Sequence, residues 1–146
     1  FLFLITLSSL GAANAQNTSI TMGSNLKLNC KFEKVIIKNS EYNFETFTKD
    51  QTKRNDIKEM TVLYKTPDTL VVKNLSNFIN NIDLEVNIFN KDIFLIQAFN
   101  KDKNYSESAV LTFKTGELVH EITSNINQEI KGKDISFYTC KNDESL

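Results

Sequence analysis

Apolar and polar residues alternate without a miss through Leu26-Lys27-Leu28-Asn29-Cys30-Lys31-Phe32-Glu33. A period of two predicts a half-buried strand with Leu26, Leu28, Cys30 and Phe32 on its inner face. The phase breaks at Lys34 and the apolar character resumes in Val35-Ile36-Ile37, which predicts a bulge or a turn at that point. Tyr42 to Thr48 reads as a short aromatic strand, and Lys49 to Asp56 as a polar loop. Met60, Val62 and Tyr64 alternate with Thr61, Leu63 and Lys65 as the next strand. Thr66-Pro67-Asp68 makes a turn in which Pro sets one backbone angle, and Leu70-Val71-Val72 begins another strand. Between Asn74 and Asp83, Leu75, Phe78, Ile79 and Ile82 fall at helical spacing, but the run is short and rich in Asn. A short helix and an ordered loop fit it equally well.

The C-terminal half predicts a meander. Leu84, Val86 and Ile88 alternate with their neighbours, Asn90-Lys91-Asp92 makes a hairpin, and Ile93 to Phe99 returns. Asn100 to Asn104 is a second polar turn. Ser108 to Lys114 returns again with Ala109, Leu111 and Phe113 on one face, Thr115-Gly116 turns into Leu118 to Thr123, and Ile135 to Cys140 is the last strand. Strands near ten residues apart, joined by short polar turns, predict an all-β fold: an antiparallel meander closing into a small barrel, with a β-sandwich as the alternative. Cys30 lies on the first strand and Cys140 on the last, which are neighbours in a closed barrel. A bridge between them requires Cα atoms about 4.4–6.8 Å apart.

The extreme N-terminus follows a different pattern. Phe1 to Ala13 is uncharged and apolar, and Ala13-Asn14-Ala15 follows it as an A-x-A site. This predicts the apolar core of a signal peptide, truncated at its start, with cleavage between Ala15 and Gln16. The apolar run falls short of the ~20 residues of a membrane span, and no Cys follows it closely enough for lipidation. The expected organisation is a signal peptide over 1–15 and one β domain over 16–146, with the product periplasmic or secreted and holding no stable membrane span once cleaved. Outside the reducing cytosol Cys30 and Cys140 are able to pair.

Composition narrows the function classes. Seventeen basic and eighteen acidic side chains nearly cancel, to a net charge of −1, and no block of like charge occurs. Nucleic acid and polybasic membrane contacts are therefore not expected. Arg54 is the one arginine, so two-pronged grips on phosphate or carboxylate have a single residue to draw on. A Cys–His nucleophile built from Cys30 or Cys140 with His120 is outweighed by a structural disulfide. His120 and the two cysteines are too far apart in sequence to suggest a zinc site, and no calcium, serine-hydrolase or phosphate-loop pattern is present. The eighteen acids allow many carboxylate pairs, most of them on outer faces. Eleven Phe and four Tyr fill a core that has no Trp, or line a cavity for an apolar ligand. Sequons at Asn17, Asn74 and Asn104 are expected by chance in an Asn-rich chain.

Leu26-Lys27-Leu28-Asn29-Cys30, Thr115-Gly116 and Thr139-Cys140 together resemble the uncharacterised small exported β-rich proteins of low-GC bacteria, which carry a cysteine on the first and last strands. The resemblance implies a compact β fold and no activity. The cysteine placement is also similar to that of periplasmic lysozyme-inhibitor barrels, from which no residue carries over. The expectation is an exported, non-enzymatic binding or structural module, without cofactor or metal, whose partner is a protein or a small apolar molecule. The alternative is a hydrolase-type enzyme with a cleft of scattered carboxylates and His120. Leu118, His120 and Ile122 share one face of their strand and Val119 and Glu121 the other. Both faces are mixed, so His120 is expected near a sheet edge or a barrel rim, with no Cys, Asp or Glu arranged around it as a catalytic or metal partner, and tolerant of replacement by Gln.

Overall fold

The chain is described by a computed structural model over residues 25–66, 69–80, 82–90, 93–100, 104–125, 129 and 131–143. Nine strands account for most of it: β1 (Asn25–Lys38), β2 (Asn43–Thr48), β3 (Ile57–Thr66), β4 (Thr69–Lys73), β5 (Asp83–Asn90), β6 (Ile93–Asn100), β7 (Tyr105–Thr112), β8 (Glu117–Ser124) and β9 (Gly132–Asn142). A single 3₁₀ turn, Lys49–Gln51, follows β2. The expected cleavage site at Ala15 and Gln16, with all of 1–15, lies outside the described residues. So do the tips of three expected turns, at Pro67-Asp68, Lys91-Asp92 and 101–103, and the sequon at Asn17.

Every strand pairing is antiparallel. The order runs β2-β1-β3-β4-β5-β6-β7-β8-β9, and β9 pairs back onto β1. The strongly curled sheet thus has a ring of pairings through eight strands, the barrel-type outcome rather than two stacked sheets. β1 makes this possible by its length. Its first half pairs with β3, from Asn25↔Leu63 to Cys30↔Ile57, and its second half carries β2 on the same edge, from Lys34↔Thr48 to Lys38↔Asn43. Its other edge pairs with β9 from Leu28↔Asn142 to Lys38↔Lys133.

Where β3 leaves β1 and β2 has not yet joined, the N–H of Phe32 lacks a strand partner. The Asp56 carboxylate accepts it at 2.8 Å. That hydrogen bond, with Lys49 beside it, holds the Asp56 carboxyl below its ordinary range. Two bulges flank the same place. The register with β9 shifts between Phe32 and Lys34, which is the phase break read from the sequence. On β3, Lys58 and Glu59 together oppose Asn29, with Glu59 at φ 55°. Two asparagines hold that second bulge: Asn29 Oδ1 accepts the Glu59 N–H at 2.9 Å, and Asn74 Nδ2 donates to the Glu59 carbonyl at 3.0 Å.

The inner faces fill the barrel. Leu28, Phe32, Val35, Val62, Leu70, Ile79, Leu111 and Leu118 are each at most 2% exposed. The 74–83 segment shows no helix among its described residues; it is an ordered loop. Its polar groups satisfy the backbone locally, Asn80 Oδ1 accepting the Asn74 N–H at 3.2 Å and Ser76 Oγ the Ile79 N–H at 3.2 Å. Its apolar residues serve the core: Ile79 is fully buried, and Leu75 and Phe78 pack against it. Two strands begin earlier than the alternation indicates, β7 at Tyr105 and β9 at Gly132. Between β7 and β8 the chain turns at Gly116, whose φ of 73° favours glycine.

Candidate functional site

Cys30 and Cys140 are register partners on β1 and β9 and form a disulfide, both side chains buried. Their Cα atoms are 3.9 Å apart, closer than the expected window. The bridge joins two directly opposed residues of one ladder, and the pair stands closer than the about 4.5–5.5 Å usual for such residues. No free cysteine occurs among the described residues, and a bonded sulfur offers no thiolate to a nucleophilic pair.

From this staple the inner face changes character along the strands. β9 turns Cys140, Tyr138, Ser136 and Asp134 inward in that order, and β8 places Leu118 opposite Tyr138, His120 opposite Ser136 and Ile122 opposite Asp134. β7 sets Leu111 opposite Leu118, Ala109 opposite His120 and Glu107 opposite Ile122. One half of the barrel is thereby apolar, and the other carries Glu107, His120, Asp134 and Ser136.

His120 is not a rim residue. It is 6% exposed, and its Nε2 lies 2.8 Å from Oε2 of Glu107, itself 2% exposed. The curl of the sheet encloses the His120 face of β8, so the mixed pattern marks a polar layer inside the barrel. Oε2 of Glu107 also accepts the Ser76 hydroxyl at 2.7 Å, and Oε1 accepts the Tyr105 hydroxyl. Burial alone would raise the Glu107 carboxyl. The hydrogen bonds from His120, Ser76 and Tyr105 outweigh it, and the net shift is downward. A carboxylate only accepts, so Nε2 of His120 carries the hydrogen between them. Burial and the Glu107 charge push the Tyr105 phenol well above its ordinary value.

A second set of contacts closes the layer. Arg54 reaches in from the loop before β3, Nη1 donating to Ser136 Oγ at 3.2 Å and Nη2 to Asp134. Ser136 Oγ donates to Asp134 Oδ1 at 3.3 Å. The one arginine is thus committed within the fold. The expectation places most acids on outer faces, and Glu107 and Asp134 are exceptions that enter this layer. Both were within reach of the alternation, since Glu107 shares parity with Ala109 and Leu111, and Asp134 with Tyr138 and Cys140. Ser76 and Arg54 carried no such signal, because both lie in loops.

This wiring determines what chemistry is available. In a nucleophilic triad the imidazole stands between hydroxyl and carboxylate. Here the carboxylate stands between, and Ser76 and His120 both point at one of its oxygens. A general base must reach a substrate proton, and both oxygens of Glu107 are occupied. Among the described residues no buried side-chain nitrogen or oxygen lacks a hydrogen-bond partner, and no three His, Cys, Asp or Glu side chains gather as a metal group.

The outside of the barrel offers a different surface. An open cleft of about 720 Å³ runs over β3, β1 and β9 where the two bulges lie. Asn29, Lys31 and Glu33 of β1, Lys58 of β3, and Thr139 and Lys141 of β9 line it, with Asp56 and Ile57. Lys31, Lys58 and Lys141 are exposed, and among the described residues none is ion-paired. Of the two acids there, Asp56 is held by Phe32 and Lys49. The Asn74 sequon is engaged through its amide with Glu59, and Asn104 opens β7 at φ 49°. No known protein family, curated protein or solved structure matches the chain.

Proposed function

We propose that the chain is an exported, non-enzymatic binding module acting through the outer surface of a disulfide-stapled barrel. The observation that carries this reading is the saturation of Glu107. The interior layer most like an active site has its carboxylate buried and fully engaged by Ser76, Tyr105 and His120, whereas the outer cleft is open. The Cys30–Cys140 bridge fits an oxidising compartment, and among the described residues no helix is long and apolar enough to cross a membrane. Intact-mass analysis of the exported product tests the address: it should begin at Gln16, cyclised or not. A product that keeps Phe1 in the membrane fraction would replace export with anchoring.

The second reading is a hydrolase using Glu107 and His120, favoured by their 2.8 Å contact alone. Turnover of ester, glycoside and peptide substrates by purified protein, compared with folded Glu107→Gln and His120→Gln variants, separates the two. The binding-module reading expects no hydrolysis that depends on either side chain; hydrolysis lost in both variants would overturn it.

A further inference from the structure

We propose that the cleft over β3, β1 and β9 binds an acidic polysaccharide, a chain of sugars bearing repeated carboxylate or sulfate groups. The proposal rests on the binding-module reading and names the ligand of that module. Lys58, Lys31 and Lys141 stand on three successive strands, spaced about 4.7–4.9 Å apart in a sheet. Asn29↔Lys141 and Lys31↔Thr139 are register pairs, so Lys31 and Lys141 are diagonal neighbours about 7–8 Å apart at the backbone. The positive charges are therefore strung across the cleft and match a chain with repeated charge better than one compact anion.

The chemistry of the lining selects among polyanions. Lysines act as point charges and do not fork onto one planar group, which suits carboxylate and sulfate alike. The Thr139 hydroxyl and the side-chain N–H groups of Asn29 supply partners suited to sugar hydroxyls. Among the described residues no aromatic side chain lines the cleft. Bases of single-stranded nucleic acid need such platforms for stacking, so a nucleic acid gains only its charge there. The two bulges and the disulfide hold the three strands in place around the cleft, so little ordering is needed on binding. Glu33 is the one lining acid without a partner among the described residues and opposes the ligand.

The test uses heparin and polygalacturonate as probes, with single-stranded DNA and neutral dextran beside them, at low and physiological salt. The mature protein should bind both acidic polysaccharides more tightly than DNA of equal charge, and dextran not at all. Replacing Lys31, Lys58 and Lys141 together by Gln should weaken heparin binding at least about tenfold and flatten its salt dependence. Replacing the equally exposed Lys73, Lys114 and Lys131 by Gln should change it less than about twofold. The single Lys141→Gln variant should show a partial loss, which keeps the test valid if the triple variant misfolds. Glu33→Gln should tighten binding. Equal losses in the two triple variants, preference for DNA, or no binding of either polysaccharide overturns the proposal. Only hydrolysis dependent on Glu107 overturns the module reading beneath it.

Discussion

The two halves of the barrel interior are held by opposite kinds of chemistry. In the first, Leu28, Phe32, Leu111, Leu118 and the Cys30–Cys140 bridge make an apolar core, with Tyr138 stacked edge-on to Phe32. In the second, Glu107, His120, Ser136 and Asp134 sit on the same strands one or two inward positions further along, tied to Ser76, Tyr105 and Arg54. The apolar half tolerates any well-packed hydrophobic arrangement. The polar half has value only as a complete set, because removing one member strands the others without water. It also fastens loops to the wall: Ser76 pins the 74–82 loop to β7, with Phe78 stacked edge-on to Tyr105 at 5.0 Å, and Arg54 pins the loop before β3 to β9. The comparison teaches that the polar layer selects a loop arrangement while the apolar half and the staple supply cohesion.

Breaking the staple is the strongest challenge to that division. The bridge closes a loop of 110 residues, for which the chain-entropy account gives about 4.7 kcal/mol. The double variant Cys30→Ala, Cys140→Ala should lose a large part of that in urea denaturation. A loss below about 1 kcal/mol would mean the β1–β9 ladder closes the ring without it. In the polar half, Glu107→Ala should cost about 3–5 kcal/mol, since it leaves His120, Ser76 and Tyr105 without their acceptor. A cost near that of an exposed site would show the layer to be open to water.

Tyr105→Phe removes one donor and His120→Gln replaces the positioned imidazole N–H by a flexible amide of different shape, and each should cost about 1–3 kcal/mol. For His120 this replaces the expectation of a neutral change, and a value within about 0.5 kcal/mol would restore the rim assignment. The Glu107 effect should also depend on pH. Its carboxyl is held below the ordinary value of 4.5, so its stabilisation is fully present above that value and is lost as pH falls through the lower folded value. The stability gap between the wild type and Glu107→Gln should narrow in that acid window; a gap that widens in acid would contradict the shift. The smallest effect is expected outside the barrel. Lys65→Ala breaks only the exposed Lys65–Asp83 pair and should change stability by no more than about 0.5 kcal/mol.

Much of this was legible in the chain because a strand repeats every two residues. Leu26 to Phe32 announced their inner face, the break at Lys34 announced a bulge or a turn, of which the structure has the bulge, and Cys30 and Cys140 announced a bridge between first and last strands. Glu107 shares parity with Ala109 and Leu111 but lies before the expected strand start at Ser108, and His120 fell on a face that reads as mixed. What parity lacks is register. Nothing local states that Ala109 faces His120 and Glu107 faces Ile122, or that Ser76 returns to meet them from a loop. An isolated reading therefore took a mixed face for an exposed one.

The sequence by itself determined most of the strands and their inward faces, and the pairing of the only two cysteines. Those follow from interactions between residues near one another in the chain or from elimination. The tertiary structure alone decided that the ring closes through the long β1, that 74–83 is a loop, that three scattered polar side chains meet on Glu107, and that three lysines from three strands share one cleft. Each depends on how far the sheet curls and where its ladders start. Those quantities are set by the packing of the whole core and have no signature within any single segment.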